Sequence, residues 1–143
     1  MKSAVRTLIG LCVPVILSGC ATGASLDESV DIEAVPPGMS RIVVYRTEVA
    51  GTAVQPTVSV DGREAGRCRP EGVFLIDLPP GEHRLSASTE TTASTTVTTR
   101  EGEVVYVECS LSLGVLVGHP KLTPVRAETG RAEARDLALT GRF

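Results

Sequence analysis

A chain of 143 residues has room for one domain. Its 14 basic and 17 acidic side chains give a net charge of −3, which argues against nucleic acid or an anionic lipid surface as partner. With two Tyr, two Phe and no Trp, it has little material for an aromatic-lined ligand or sugar groove, so the core has to be built from Val, Leu, Ile and Ala.

The first element is a leader. Lys2 and Arg6 make a short positive start, Leu8 to Leu17 is apolar apart from Gly10 and Pro14, and Ser18 and Gly19 are small. That is the three-part form of a secretory signal peptide. The apolar run is too short to span a membrane as a helix, which takes about 20 residues. Leu17-Ser18-Gly19-Cys20 closely resembles the lipobox of bacterial lipoproteins. The resemblance implies a diacylglycerol on the Cys20 sulfur, cleavage just before Cys20 and acylation of the new amino terminus. Residues 1–19 are then the lipoprotein signal peptide and Cys20 is the lipid attachment site. Two or more acyl chains anchor a protein stably where one does not. An ordinary cleaved signal peptide with an incidental cysteine is the competing reading. Ala21 and Thr22 follow the cysteine, with no Asp directly after it. The resemblance therefore implies the outer membrane, with the domain on its periplasmic face; the inner membrane stays open. Without Lys2 and Arg6 the 14 basic residues become 12 against 17 acidic, a net charge of −5.

Residues 20–38 hold few apolar side chains, carry Asp27, Glu28, Asp31 and Glu33, and end in Pro36-Pro37-Gly38. They read as a flexible acidic tether. From residue 39 to 143 the pattern is that of one β domain. Arg41 to Glu48 is β-branched and partly alternating. Thr57 to Val60 alternates and runs into Asp61-Gly62, a strong hairpin signal because both turn positions take positive φ. Glu64 to Cys68 is the return strand. Gly72 to Leu78 is a buried strand, Pro79-Pro80-Gly81 forces a turn, and His83 to Ser88 returns. Ser94 to Arg100 and Glu103 to Ser110 form a pair around Glu101-Gly102. Lys121 to Glu128 is a last strand. Thr129 or Gly130 caps a short helix, Arg131 to Leu139, with Ala134, Leu137 and Ala138 on one face. Seven or eight short strands with regular turn signals predict an all-β, antiparallel sandwich with a short C-terminal helix.

Residues 56–88, from Pro56-Thr-Val-Ser-Val-Asp-Gly62 through Leu78-Pro79-Pro80-Gly81, resemble the repeat of PEGA-type surface domains. Val44-Tyr45-Arg46, Val60-Asp61-Gly62, Leu78 to His83 and Gly102 to Val107 also resemble an uncharacterised family of small bacterial lipoproteins of the domain-of-unknown-function kind. The resemblance implies an immunoglobulin-like or transthyretin-like sandwich. It brings no catalytic residues and no cofactor.

Motifs for chemistry are scarce. The sequence has no phosphate-cradling Gly loop, no Gly-x-Ser-x-Gly and no His-Glu-x-x-His. His83 and His119 could meet over a metal with Asp77 or Glu82, but two isolated turn histidines are the simpler reading, and no metal site is assigned. Asp77 and Glu103 could pair as acids, against the simpler reading of solvated strand-end charges. The Thr-rich run from Thr89 to Thr99 reads as a loop and a strand with Thr on the wet face and Val97 turned inward, with glycosylation as the alternative. Leu111 to Gly118 is the most apolar piece of the domain. It is either core or an exposed edge, and Gly114 and Gly118 permit a bulge in both cases.

Cys12 leaves with the leader and the lipobox uses Cys20, which leaves Cys68 and Cys109. Outside the cytoplasm such a pair oxidises and persists. Each ends a strand candidate, and neither has Cys-x-x-Cys spacing. A structural Cys68–Cys109 disulfide is expected, with two separate buried thiols as the alternative. The whole pattern predicts a lipid-anchored, non-enzymatic envelope module that contacts an envelope protein through a sheet edge. The alternative is a periplasmic ligand or glycan binder, or an envelope hydrolase, with its site in the loops at one end of the sandwich.

Overall fold

The computed structural model describes residues 31–51, 53–113 and 118–143. The leader, Cys20, the first part of the tether and Gly114 lie outside the described residues. Nine strands and one helix form among those described: β1 Ser40–Arg46, β2 Thr57–Val60, β3 Arg63–Arg67, β4 Gly72–Leu78, β5 Gly81–Ser88, β6 Thr92–Thr99, β7 Val104–Leu113, β8 Gly118–Val125, α1 Ala127–Ala134 and β9 Ala138–Arg142. They make a five-stranded sheet, β8-β7-β1-β4-β9, over a four-stranded sheet, β3-β2-β5-β6.

β1 explains the layering. Successive side chains of a strand point to opposite faces, and here both faces are covered, so all seven residues are buried. Ile42 and Val44 face the four-stranded sheet and join Val58, Val60, Phe74, Ile76, Leu85, Val97 and Val107 in the inter-sheet core. Val43 and Tyr45 face outward into a second cluster with Val73, Leu75, Tyr106 and Ala134, and Ile32 packs against it. Strands covered on both sides read as apolar runs rather than alternations, which is the pattern of β1 and β4. β6 is covered on one side only. Val97 and Thr99 are buried, and Thr92, Ser94, Thr96 and Thr98 are exposed, so the Thr-rich run is a strand with a wet face.

The sandwich expected from the sequence is present, and β2 and β4 fall on their expected bounds. Asp61 (φ 49°) and Gly62 (φ 82°) both take positive φ, and Val60 pairs with Arg63 across them. Four expectations need correction. The Pro79-Pro80-Gly81 turn does not close a hairpin; it carries the chain from β4 in one sheet to β5 in the other. The turn at Glu101-Gly102 likewise switches sheets, so β6 and β7 are not partners. Pairing is not antiparallel throughout. β1 runs parallel to β7 and β4 parallel to β9; neither pair is joined by a tight turn, and each is linked through several intervening elements, as parallel pairing requires.

The fourth correction concerns the end of the chain. The helix is Ala127–Ala134, not Arg131 to Leu139, and residues 138–142 form a strand. Gly130 does not cap the helix. It lies inside it and is buried against the sheet, where a Cβ would come within 2.3 Å of the Tyr106 Cβ. Glycine there lets the helix backbone rest directly on a tyrosine. Eight residues make a marginal helix alone, so this contact holds it in place.

The end of the predicted tether is also seated on the domain. Ile32 packs on the outer cluster. The Arg41 Nη1 group donates to the carbonyl of Ile32 at 2.9 Å and to that of Asp31 at 3.3 Å.

Candidate functional site

The residues singled out for chemistry are engaged in holding the fold. His83 is buried on β5. Its Nδ1 lies 2.7 Å from Asp61 Oδ2 and its Nε2 lies 2.8 Å from the Pro79 carbonyl oxygen. A carbonyl only accepts, and an ionised carboxylate only accepts. With Asp61 ionised, this geometry suits donation from both ring nitrogens, which is the imidazolium form. Asp61 Oδ1 accepts from the Arg84 N–H at 2.9 Å. The Asp-Gly turn and the Pro-Pro-Gly turn, separate motifs in the sequence, are thus one locked unit.

Burial alone pushes the His83 imidazole down, but the hydrogen bond to Asp61, the bond to the Pro79 carbonyl and the Asp61 charge together raise it above its ordinary value. The Asp61 carboxyl is held below its ordinary value, first by the His83 hydrogen bond and then by the Arg84 N–H. A raised histidine contributes stability while it is protonated and loses that contribution as pH rises through its folded value. A depressed aspartate loses its contribution as pH falls through its own. The lock is therefore strongest from about pH 4 to about pH 6.5. In denaturant melts, the stability gap between the native chain and His83→Gln is expected to be widest near pH 5–6. It should narrow as pH rises above that range. A gap that is flat or that widens toward pH 9 would refute the lock.

His119 lies elsewhere. Its Nδ1 is 3.2 Å from Thr91 Oγ1, in the turn between β5 and β6, whereas His83 sits at the opposite end of that hairpin, paired with Val97. Glu82 is exposed. Among the described residues no three His, Cys, Asp or Glu side chains come together as metal ligands. Asp77 is taken by Arg41, in a two-pronged contact of Nε to Oδ1 at 2.6 Å and Nη2 to Oδ2 at 2.9 Å. Glu103 Oε2 accepts from the Arg100 N–H at 2.8 Å and closes its own turn. The structure does not bring Asp77 and Glu103 together as an acid pair.

Arg46 is a second fully buried cation. Its guanidinium donates to the carbonyls of Ala50, Gly51, Val54 and Cys68, which ties the β1–β2 loop to the core. Burial lowers its pKa, against the Glu48 charge, which raises it. Cys68 and Cys109 form a disulfide with Cα atoms 6.3 Å apart, inside the range a bridge needs. Both cysteines are buried. The bridge joins the end of β3 in one sheet to β7 in the other. Leu111, two residues beyond Cys109, is buried and Ser112 is exposed; residues 114–117 of the apolar run lie outside the described residues.

The outer face of the five-stranded sheet carries a feature that the sequence reading missed. A cleft of about 210 Å³ is lined by Asp31, Ile32, Glu33, Tyr106, Arg131 and Arg135. Tyr106 Oη donates to Glu33 Oε1 at 3.1 Å, and Arg131 Nε donates to the same oxygen. Tyr45 Oη donates to Glu133 at 2.6 Å. Burial, and then the Glu33 hydrogen bond, push the Tyr106 phenol up to about 12. Burial and Glu133 raise that of Tyr45 as well. Glu108, beside Glu133 and Glu48, is raised mainly by burial. The signal available in the sequence was the pair of tyrosines inside apolar strands. A buried tyrosine hydroxyl needs an acceptor, and the acceptors are glutamates far away in sequence.

Residues 36–120 match the family described as a protein of unknown function, DUF2846. The chain belongs to the DUF2846 family. The match runs from just before β1 to the start of β8. It contains both buried arginines, the turn lock and the disulfide, whereas Glu33, Arg131 and Arg135 of the cleft lie outside it. An uncharacterized protein of Haemophilus influenzae is similar, 28% identical over 125 residues, covering 83% of this chain and 74% of that protein. Membership of this family agrees with the resemblance to a domain of unknown function.

Proposed function

We propose that this DUF2846 protein is a lipid-anchored envelope lipoprotein whose sandwich is a non-enzymatic interaction or structural module. The observation that carries the reading is the disulfide between the two sheets. Disulfides persist in oxidising compartments and are rare in the cytosol, so the bridge supports export, and Leu17-Ser18-Gly19-Cys20 supplies both export and a lipid anchor. The absence of Asp after Cys20 favours the outer membrane, with the domain facing the periplasm. The polar residues that sequence alone offers for chemistry, His83, Asp77 and Glu103, are each held by a structural partner. The PEGA-like stretch contributes the turn lock, a device of stability and not of catalysis.

The contact with an envelope protein is assigned to a sheet edge. β3 carries Arg63, Glu64 and Arg67, and β8 carries Pro120 and Pro124; charge and proline both discourage addition of a strand. β9, the fourth edge, is short and ends in Arg142. β6 has neither charge nor proline and, with one side against β8 of the other sheet, is the edge proposed to take a partner strand. Ligand binding in the outer-face cleft is the weaker reading, because its 210 Å³ falls below the roughly 300–1,000 Å³ of small-molecule sites.

The anchor is tested by Cys20→Ser. In cells fed a labelled fatty acid, the native chain should take up label and the variant should not. The variant should also accumulate as precursor. Normal labelling or normal processing of Cys20→Ser would refute the lipid attachment.

A further inference from the structure

We propose that residues 31–35 form a releasable strap on the outer face of the five-stranded sheet, opening about the Pro36-Pro37-Gly38 hinge without unfolding the domain. Three contacts hold the strap down. Ile32 packs on the outer cluster. The Asp31 and Ile32 carbonyls accept from Arg41 Nη1. Glu33 accepts from Tyr106 and Arg131 through one oxygen.

None of these contacts is a strand ladder. The strap's own amides bond locally: Glu33 N–H to the Asp31 side chain at 2.9 Å, Ala34 N–H to the Asp31 carbonyl at 3.2 Å, and Val35 N–H to the Glu33 carbonyl at 2.9 Å. Release therefore breaks no strand ladder; the Tyr106 hydroxyl and Arg41 Nη1, which lose their strap acceptors, turn to the water that replaces the strap. Arg41 keeps its two bonds to Asp77, so the buried guanidinium stays paired when the strap leaves. The Glu33–Arg131 pair is open to water, with side-chain exposures of 41% and 54%; ion pairs of this kind are weak and salt-screened. Gly38, at φ 76°, and the two prolines before it set a fixed pivot next to β1. Segments held by few apolar contacts and local hydrogen bonds open at low free energy.

The consequence for reach rests on the lipid-anchored reading. Released, the five strap residues add up to about 17 Å to the chain between Cys20 and the domain. The opening itself does not depend on a lipid.

Hydrogen–deuterium exchange on the full chain, purified in detergent, tests the strap. Glu33→Gln is expected to speed exchange across residues 31–35 by about two- to fivefold. The amides of β1 and β4 should not change. Raising salt to about 1 M should speed strap exchange in the native chain and have little effect in Glu33→Gln. Glu128→Gln, on the exposed side of α1, is the control and should leave the strap unaltered. Strap exchange that keeps pace with β1 under every condition would overturn the proposal, as would a strap insensitive to both Glu33→Gln and salt. Attachment to vesicles is scored separately on the same preparation. A detached chain with a normal exchange pattern refutes the anchor alone, and an attached chain with an invariant strap refutes the strap alone.

Discussion

Replacing both bridge cysteines, Cys68→Ala with Cys109→Ala, is expected to lower the unfolding free energy by about 4 kcal/mol. The bridge links residues 41 apart in sequence, and a loop of that size removes much of the freedom of the unfolded chain. The location adds to the effect. β3 is an outer strand that pairs only with β2 in the sheet order, and the bridge just beyond it ties that edge to β7 in the opposite sheet. Domains of this size have about 5–15 kcal/mol in all, so the loss is a large part of the whole. The double variant is the right comparison because it leaves no free thiol. In urea its midpoint should fall, and its m-value should rise, because the uncrosslinked unfolded chain exposes more surface. A loss below about 1 kcal/mol would contradict a structural role and leave the bridge as a by-product of two buried neighbours.

The bridge was legible in the sequence because two readings met there: a leader that predicts export and two cysteines at the ends of strand candidates. Local turn chemistry was legible for the same kind of reason. Asp61-Gly62 specifies its own backbone angles, and β2 and β4 are bounded by turn residues on both sides. What a one-dimensional pattern does not carry is the partner of each strand. Pro79-Pro80-Gly81 specifies a reversal but not the sheet in which the chain continues. β9 has Ala138, Thr140 and Gly141, weak strand formers in part, and exists because β4 offers it an open edge. Its parallel pairing with β4 overrides the helical spacing of Ala134, Leu137 and Ala138. Gly130 looks like a helix cap until Tyr106 is placed beneath it. The outer-face cleft was hidden for the same reason: Glu33, Tyr106 and Arg131 are distant in sequence, and Glu33 reads as one more solvated tether charge.

Breaking the Arg41–Asp77 pair is expected to cost an amount that depends on which partner is removed. The Arg41 side chain is fully buried and that of Asp77 is 13% exposed. Asp77→Ala leaves a guanidinium inside the fold with only the Asp31 and Ile32 carbonyls as acceptors. An uncompensated buried charge is costly, and about 3 kcal/mol or more is expected. Arg41→Met leaves a carboxylate at the rim, where water can reach one side of it, and methionine fills much of the vacated volume. The loss there should be smaller, about 1–2 kcal/mol. Arg41→Met with Asp77→Ala should recover part of the Asp77→Ala loss, since the orphaned cation is gone. Urea melts of the two single variants and the double variant close the cycle. The expected order, from most to least stable, is native, Arg41→Met, then Asp77→Ala, with the double variant above Asp77→Ala. Arg41→Met falling below Asp77→Ala would mean that the arginine acts chiefly by holding the strap and not by neutralising Asp77. The strap would then show faster exchange in Arg41→Met than in Asp77→Ala.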